Sequence, residues 1–284
     1  MKIKQDWHIH SAHSCDDACL EMEHLAFESE QMGILDYGIS DHLHTRYNMP
    51  DIIASKKSYD SIISKNPALK HRFRFGVEAS CVSEWEIDKI RRGDYQGNIT
   101  YGIRGGGPPD AKPAMDLDRA DMEKLGIDYI VGGVHWGLYC GTDKDALIRD
   151  YHRQYMYMAQ HKDVDILAHY LWYNPIPGVD NPFSDFGGIP LSMKQELACA
   201  LKQYGCAFEL NLCAILLAPS LTDKFRHEYL EYAAGLQAMG IALAIGSDCH
   251  NRHYTEIDFE LSAKMLEAAG IDLDKNMFEA RVFS

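Results

Sequence analysis

Basic residues are scarce in this 284-residue sequence: 28 Lys and Arg stand against 42 Asp and Glu, for a formal net charge of −14. A general nucleic-acid binder carries a basic patch, so a long polyanionic partner is disfavoured. The deficit does not exclude a small anionic substrate, because bound metal ions reverse the sign of a local field. Also missing is any C-x-x-C pair among the eight cysteines. Several lie in apolar runs, such as Cys206 in "YGCAFELNLC", and read as reduced, mostly buried thiols of a cytosolic protein. No segment approaches the roughly 18 apolar residues of a membrane span, and "MKIKQDWHIH" lacks the apolar core of a signal peptide. The expectation is a soluble, cytoplasmic chain without a membrane partner. Internal repeats and low-complexity tracts are absent as well, and nothing in the sequence sets an oligomeric state.

What is present is alternation. Seven short β-rich runs recur at 3–10, 35–42, 73–80, 129–136, 165–170, 207–212 and 242–250. Between them lie stretches such as 19–33, 191–205 and 224–240, with apolar residues at three- and four-residue spacing and glycine at the end. Strands alternating with helices imply parallel pairing and right-handed crossovers. Seven units without a composition break predict one barrel-like domain over 1–284, with irregular insertions around 82–125 and 172–190. In the first, "YGIRGGGPPDAKP" (101–113) precludes a regular helix. Loops this long are either plain surface insertions or segments that line a site.

Each run ends in a potential ligand: His8 and His10, Asp41 and His42, Glu78, His135, His169, Glu209 with Asn211, and Asp248 with His250. In a parallel α/β barrel the strand C-termini meet at one face, where active sites are built. Residues i and i+2 of a strand point the same way, so His8 and His10 project together, as do Asp248 and His250. One histidine at a strand end reads equally well as a hydrogen-bonded core residue. The whole set is better explained by metal: imidazole and carboxylate suit first-row ions, and coordination removes the cost of burying so many polar groups.

With "DWHIHSAHS", "ISDH", "GVE", "GGVHW", "LAH" and "GSDCH" in this order, the chain resembles the polymerase and histidinol phosphatase (PHP) family over nearly its whole length. The resemblance implies a distorted, TIM-like seven-stranded (β/α) barrel with two or three divalent ions (Zn, Fe or Mn) at the strand C-termini. Carried over by position, it assigns one ion to His8, His10, Glu78 and Asp248. Glu78 bridges to a second, held also by His135 and His169. A third takes Asp16, His42 and His250, with Asp17 the alternative to Asp16. The implied activity is hydrolysis of a small phosphate ester by metal-activated hydroxide, on a phosphomonoester such as histidinol phosphate or on a cyclic or diester phosphate.

The phosphate contact and the proton donor are less well marked. Arg104 in "GIRGGG" is the first candidate for phosphate, ahead of Arg46, Arg252 and Lys194, although each reads also as a solvated surface charge. The glycine run is not a P-loop, since it lacks the G-K-[ST] ending. His13, His44 and His253 are candidate proton donors, or else supports for the site. Trp136 and Tyr170 shape the pocket or pack the core. "GIDYIVGGVHW" followed by "DILAHY" points to the histidinol-phosphatase branch, but Tyr170 and Leu171 depart from its pattern, and 172–220 contains no arginine. The competing readings are a metal-dependent amidohydrolase acting on a C–N bond and a metal-stabilised binding protein without turnover.

Overall fold

The computed structural model describes residues 2–280. Its ten strands are β1 (Gln5–Asp6), β2 (Asp36–Ile39), β3 (His42–Leu43), β4 (Phe73–Ser80), β5 (Val82–Ser83), β6 (Pro113–Ala114), β7 (Tyr129–Gly133), β8 (Ile166–Leu167), β9 (Ala207–Asn211) and β10 (Leu243–Gly246). The helices are α1 (Met22–Met32), α2 (Met49–Lys65), α3 (Glu84–Arg92), α4 (Arg119–Leu125), α5 (Lys144–Gln160), α6 (Leu191–Tyr204), α7 (Asp223–Ala238) and α8 (Phe259–Ala268). Among the described residues, none is long and apolar enough to cross a membrane.

The main sheet runs β1-β2-β4-β7-β8-β9-β10, with β3 also on β4, and every pairing in it is parallel. The seven expected runs supply these strands, and the sheet nearly closes into a distorted barrel. One seam remains, between the first run and the last. It is joined by single backbone hydrogen bonds: Trp7 N to Ile245 O (2.8 Å), Asp248 N to His8 O (2.7 Å) and His10 N to Cys249 O (3.1 Å). Asp6 adds side-chain links across the same seam, accepting from Ser247 N (2.8 Å) and Tyr254 Oη (2.8 Å).

Glycines end α1 and α6 as the spacing implied: Gly33 and Gly205 take φ of 75° and 72°, the left-handed cap that a Cβ would oppose. The 82–125 segment is more ordered than its composition suggested. It carries α3, the antiparallel pair β5–β6 and α4, with irregular chain between 93 and 112 and over the short link 115–118. All eight cysteines are unpaired, yet only Cys81, Cys206 and Cys249 are buried, and Cys199 is exposed. The expectation of mostly buried thiols is thus corrected, because helix-borne Cys199 lies on a solvent face.

The barrel interior is apolar at one end of the strands and polar at the other. A small cluster of Trp7, Tyr129, Val131, Ile166, Ala168, Ala207 and Ala244 fills it, packed against Phe278. Strand residues alternate faces, so the positions that continue these interior rows are Gly133 after Val131, Glu209 and Asn211 after Ala207, and Gly246 after Ala244. Each row is apolar near the strand's start and polar or vacant of side chain near its end. The larger core cluster lies between the strands and the surrounding helices.

Candidate metal centre

Glu78, wholly buried on β4, is the hub. Its Oε1 lies 3.0 Å from His135 Nε2 and 2.9 Å from His169 Nε2. Its Oε2 lies 2.7 Å from His42 Nδ1, 3.3 Å from His8 Nε2 and 3.5 Å from His10 Nε2. Asp248 Oδ1 sits 3.2 Å from His10 Nε2 and 3.6 Å from His8 Nε2. Asp16 Oδ2 contacts His42 Nε2 at 3.2 Å and His250 Nε2 at 2.7 Å, while Asp17 is exposed. All nine residues assigned by the resemblance therefore meet in one cluster. Asp41 does not join it: its carboxylate accepts from Ser11 N, Ser11 Oγ and Ser55 Oγ.

Two glycines keep room for the hub and its support. A Cβ on Gly133 would overlap Glu78 Oε1 and approach His135 Cε1 at 2.5 Å. One on Gly246 would overlap Glu209 and lie 2.7 Å from His8 Cβ. Two cluster residues also hold left-handed backbone, His169 at φ 24° and Asp248 at φ 56°. Such conformations cost roughly 1–3 kcal/mol each and persist only where surroundings enforce them. Here the enforcing bonds run from His169 N to Glu209 and from Asp248 N to His8 O.

The donors are crowded in a way that fits cations. His8 Nε2 and His10 Nε2 are 3.0 Å apart. A tetrahedral ion with nitrogen ligands at roughly 2.0–2.1 Å has donor–donor edges of about 3.3 Å. Among the described residues, three donor groups, each within 4.8 Å, are His8–His10–Glu78, His42–Glu78–His135 and His10–His42–His250. His42 Nδ1, Glu78 Oε2 and His135 Nε2 are buried without a hydrogen bond of acceptable geometry, which for groups this polar calls for another partner. The electrostatics agree. Burial alone would raise the Glu78 carboxyl, yet His135, His42 and His8 hold it well below the carboxylate range. Burial opposes charge on His42, but Glu78 and Asp16 lift it to about 10, whereas burial, His42 and His250 push His10 down to about 3. The carboxylates demand positive charge at the centre of the cluster. The residues present fit divalent ions.

Glu209 and Asn211, expected as strand-end ligands, act as supports, and Ser80 and Trp172 join them without having been expected. Glu209 takes His8 Nδ1 at 2.6 Å and also accepts from His169 N and Asn211 Nδ2 (3.1 Å), so it orients ligands instead of crowding the hub. Asn211 donates also to Asp248 Oδ2 (3.2 Å), while its Oδ1 caps the π-helical turn Leu212–Leu216. Ser80, two residues after Glu78, bridges His44 Nδ1 (2.7 Å) and His135 Nδ1 (2.8 Å); that i+2 spacing was the available signal. Trp172 lies against His135 and His169, with ring centroids 5.8 and 5.4 Å away.

The cluster opens into a cavity of about 300 Å³, walled also by His44, Tyr101, Arg104, Trp136, Trp172 and Asn174. The Arg104 guanidinium stacks on Trp136, 3.0 Å from the ring centroid. Its rivals are placed elsewhere. Arg46 pairs with Asp121 (2.9 Å) and Asp118 (3.4 Å), Arg252 is exposed, and Lys194 lines a separate groove beside Phe186. His13 and His253 do not line the cavity; His253 Nδ1 is 3.1 Å from Glu28 Oε1. His44 does line it, with Nε2 buried and unpartnered. Trp136 is a pocket wall, whereas Tyr170 is buried in an aromatic core with Tyr155 and Phe208.

No protein-family model matches the sequence, and no curated protein matches it. Solved structures do. One is histidinol phosphate phosphatase (HisK) from Lactococcus lactis subsp. lactis Il1403 complexed with zinc, L-histidinol and phosphate. It has a TM-score of 0.60 and 16% identity, over 95% of this chain and 94% of that one. Another, assigned as the histidinol phosphatase hisK from Listeria monocytogenes, has a TM-score of 0.58 and 13% identity, over 87% and 95% of the two chains. The barrel of this protein therefore has the fold of the histidinol-phosphatase-like, PHP-type structures.

Proposed function

We propose that the protein is a divalent-metal-dependent hydrolase of small phosphomonoesters. The observation that carries the reading is Glu78, a single buried carboxylate in contact with five imidazoles at the mouth of a barrel. His8, His10, Glu78 and Asp248 would hold one ion, Glu78, His135 and His169 a second, and Asp16, His42 and His250 a third. When bound, such ions supply a water of lowered pKa and neutralise charge on phosphoryl oxygens.

The remaining work falls to the chain. Arg104 at the cavity wall offers a fixed cation to a phosphoryl oxygen, the type of group that stabilises charge developing in the transition state. Ser80 sets a tautomer. A hydroxyl has one proton, so of two Nδ1 atoms it can donate to at most one, and the arrangement that uses that proton here accepts from one ring and donates to the other. If His135 presents Nε2 to a cation, its Nδ1–H donates to Ser80, and Ser80 then donates to His44 Nδ1. That leaves the proton of a neutral His44 on Nε2, a buried atom without a partner in a residue of the cavity wall, as a hydrogen-bond donor within reach of a bound ester. Trp136 and Trp172 line the cavity and give the reacting group an apolar wall.

The test is phosphate release by metal-loaded protein from a panel of phosphomonoesters, cyclic phosphates and diesters, histidinol phosphate included. Turnover of monoesters that is lost in Glu78→Ala protein supports the reading. Silence across the panel with metal bound would overturn it and bring C–N bond hydrolysis forward.

A further inference from the structure

A second cavity, about 1,040 Å³, opens beside the metal cavity and shares Tyr101, Arg104, Trp136 and Asn174 with it. Its chemistry is the opposite of its neighbour's. Among the described residues, no Asp, Glu, Lys or His lines it, and Arg104 is the one charged residue that does. Tyr101, Trp136, Tyr139 and Tyr151 supply aromatic walls, with Asn98 and Thr100 as neutral polar groups.

Two acids that interact with these walls are already engaged. Glu86 accepts from Ile103 N and from Tyr139 Oη (3.1 Å), and its burial pushes the carboxyl upward, toward the neutral form. Asp150 accepts from Leu138 N (2.6 Å) and Gln154 Nε2 (2.9 Å) and pairs with Arg153 at 2.6 Å. The cavity thus has no free carboxylate to meet a cationic ligand, and Arg104 would repel one. Flat uncharged rings are favoured by aromatic walls, and amide and hydroxyl groups can read their edges.

We infer that this outer cavity receives the leaving alcohol, and that the alcohol is uncharged and carries an aromatic ring, as in a nucleoside 5′-monophosphate, unlike the cationic histidinol. The inference rests on the phosphatase reading of the inner cavity. It assigns substrate choice to the 93–112 loop and to the chain following β7, both outside the barrel strands.

The experiment uses metal-loaded full-length protein saturated with inorganic phosphate and follows tryptophan fluorescence as adenosine or L-histidinol is added. Adenosine should bind more tightly by about tenfold or more, with the same order in kcat/KM for AMP over histidinol phosphate. Thr142→Asp, which adds a carboxylate at an exposed position of the cavity wall, should shift the binding ratio toward histidinol by about two- to fivefold. Equal binding, or a preference for histidinol in the unaltered protein, overturns the inference. If no phosphomonoester, phenyl phosphate included, is hydrolysed, the phosphatase reading fails by itself, while the adenosine-to-histidinol ratio still decides what the outer cavity accepts.

Discussion

The two adjoining cavities are built from different parts of the chain. The inner one, about 300 Å³, is walled mainly by residues at or just beyond strand ends and holds nearly every ionisable group of the region. The outer one, about 1,040 Å³, is walled mainly by loops, with Leu147 and Tyr151 of α5, and among the described residues carries a single charge. Strand ends are fixed by the sheet's register, so they suit groups that must be held to fractions of an ångström. Loops tolerate change, so they suit selection among leaving groups. Only four residues belong to both cavities, and Arg104 is the charged one among them. If the proposed reading holds, chemistry and specificity are separable by mutation.

The sharpest way to break that separation is Glu78→Gln, which keeps shape and removes the hub's charge. Ion stabilisation is worth several kcal/mol, and each 1.36 kcal/mol is tenfold, so phosphate release should fall by about a thousandfold or more. Elemental analysis should show depleted metal, while adenosine binding in the outer cavity, read by fluorescence, changes little. Binding that falls in step with turnover would contradict the two-cavity picture. Gly133→Ala comes next. Its methyl would overlap Glu78, so about 1–3 kcal/mol of overpacking strain should appear as a lower thermal midpoint, together with lost metal.

Arg104→Ala touches both cavities but no proposed metal donor. A hydrogen bond to a charged group contributes about 1.5–3 kcal/mol, so kcat/KM should drop roughly tenfold to a hundredfold with metal content unchanged. Ser80→Ala is the mildest, at about tenfold in turnover. Its diagnostic is ¹⁵N NMR of metal-loaded protein: His44 should carry its proton on Nε2 in the unaltered protein and become a tautomer mixture in the variant. An unchanged His44 spectrum would remove Ser80 from the relay.

The inner cavity was the legible part of the sequence. Strand periodicity and i, i+2 spacing place His8 with His10 and set Glu78 at the end of a buried run, and barrel topology then brings them together. What could not be read depended on contacts between loops. Nothing in "GIRGGG" announces that Arg104 will stack on Trp136, or that Arg46 will be taken up by Asp118 and Asp121. His253 shares a motif neighbourhood with His250, yet its ring pairs with Glu28 on α1's flank of the barrel. Glu209 was visible as a strand-end acid, but its role as a support required knowing which way the His8 ring turns. Trp172 lies in a Pro- and Gly-rich stretch whose path no periodicity specifies.

The most direct measurement is a titration of metal-depleted protein with Zn²⁺ or Mn²⁺, in which bound ions per chain and phosphate release from a monoester are followed together. The account predicts no turnover without metal, and turnover rising as two or three ions bind. Full occupancy without phosphate release, or release from metal-free protein, would contradict it.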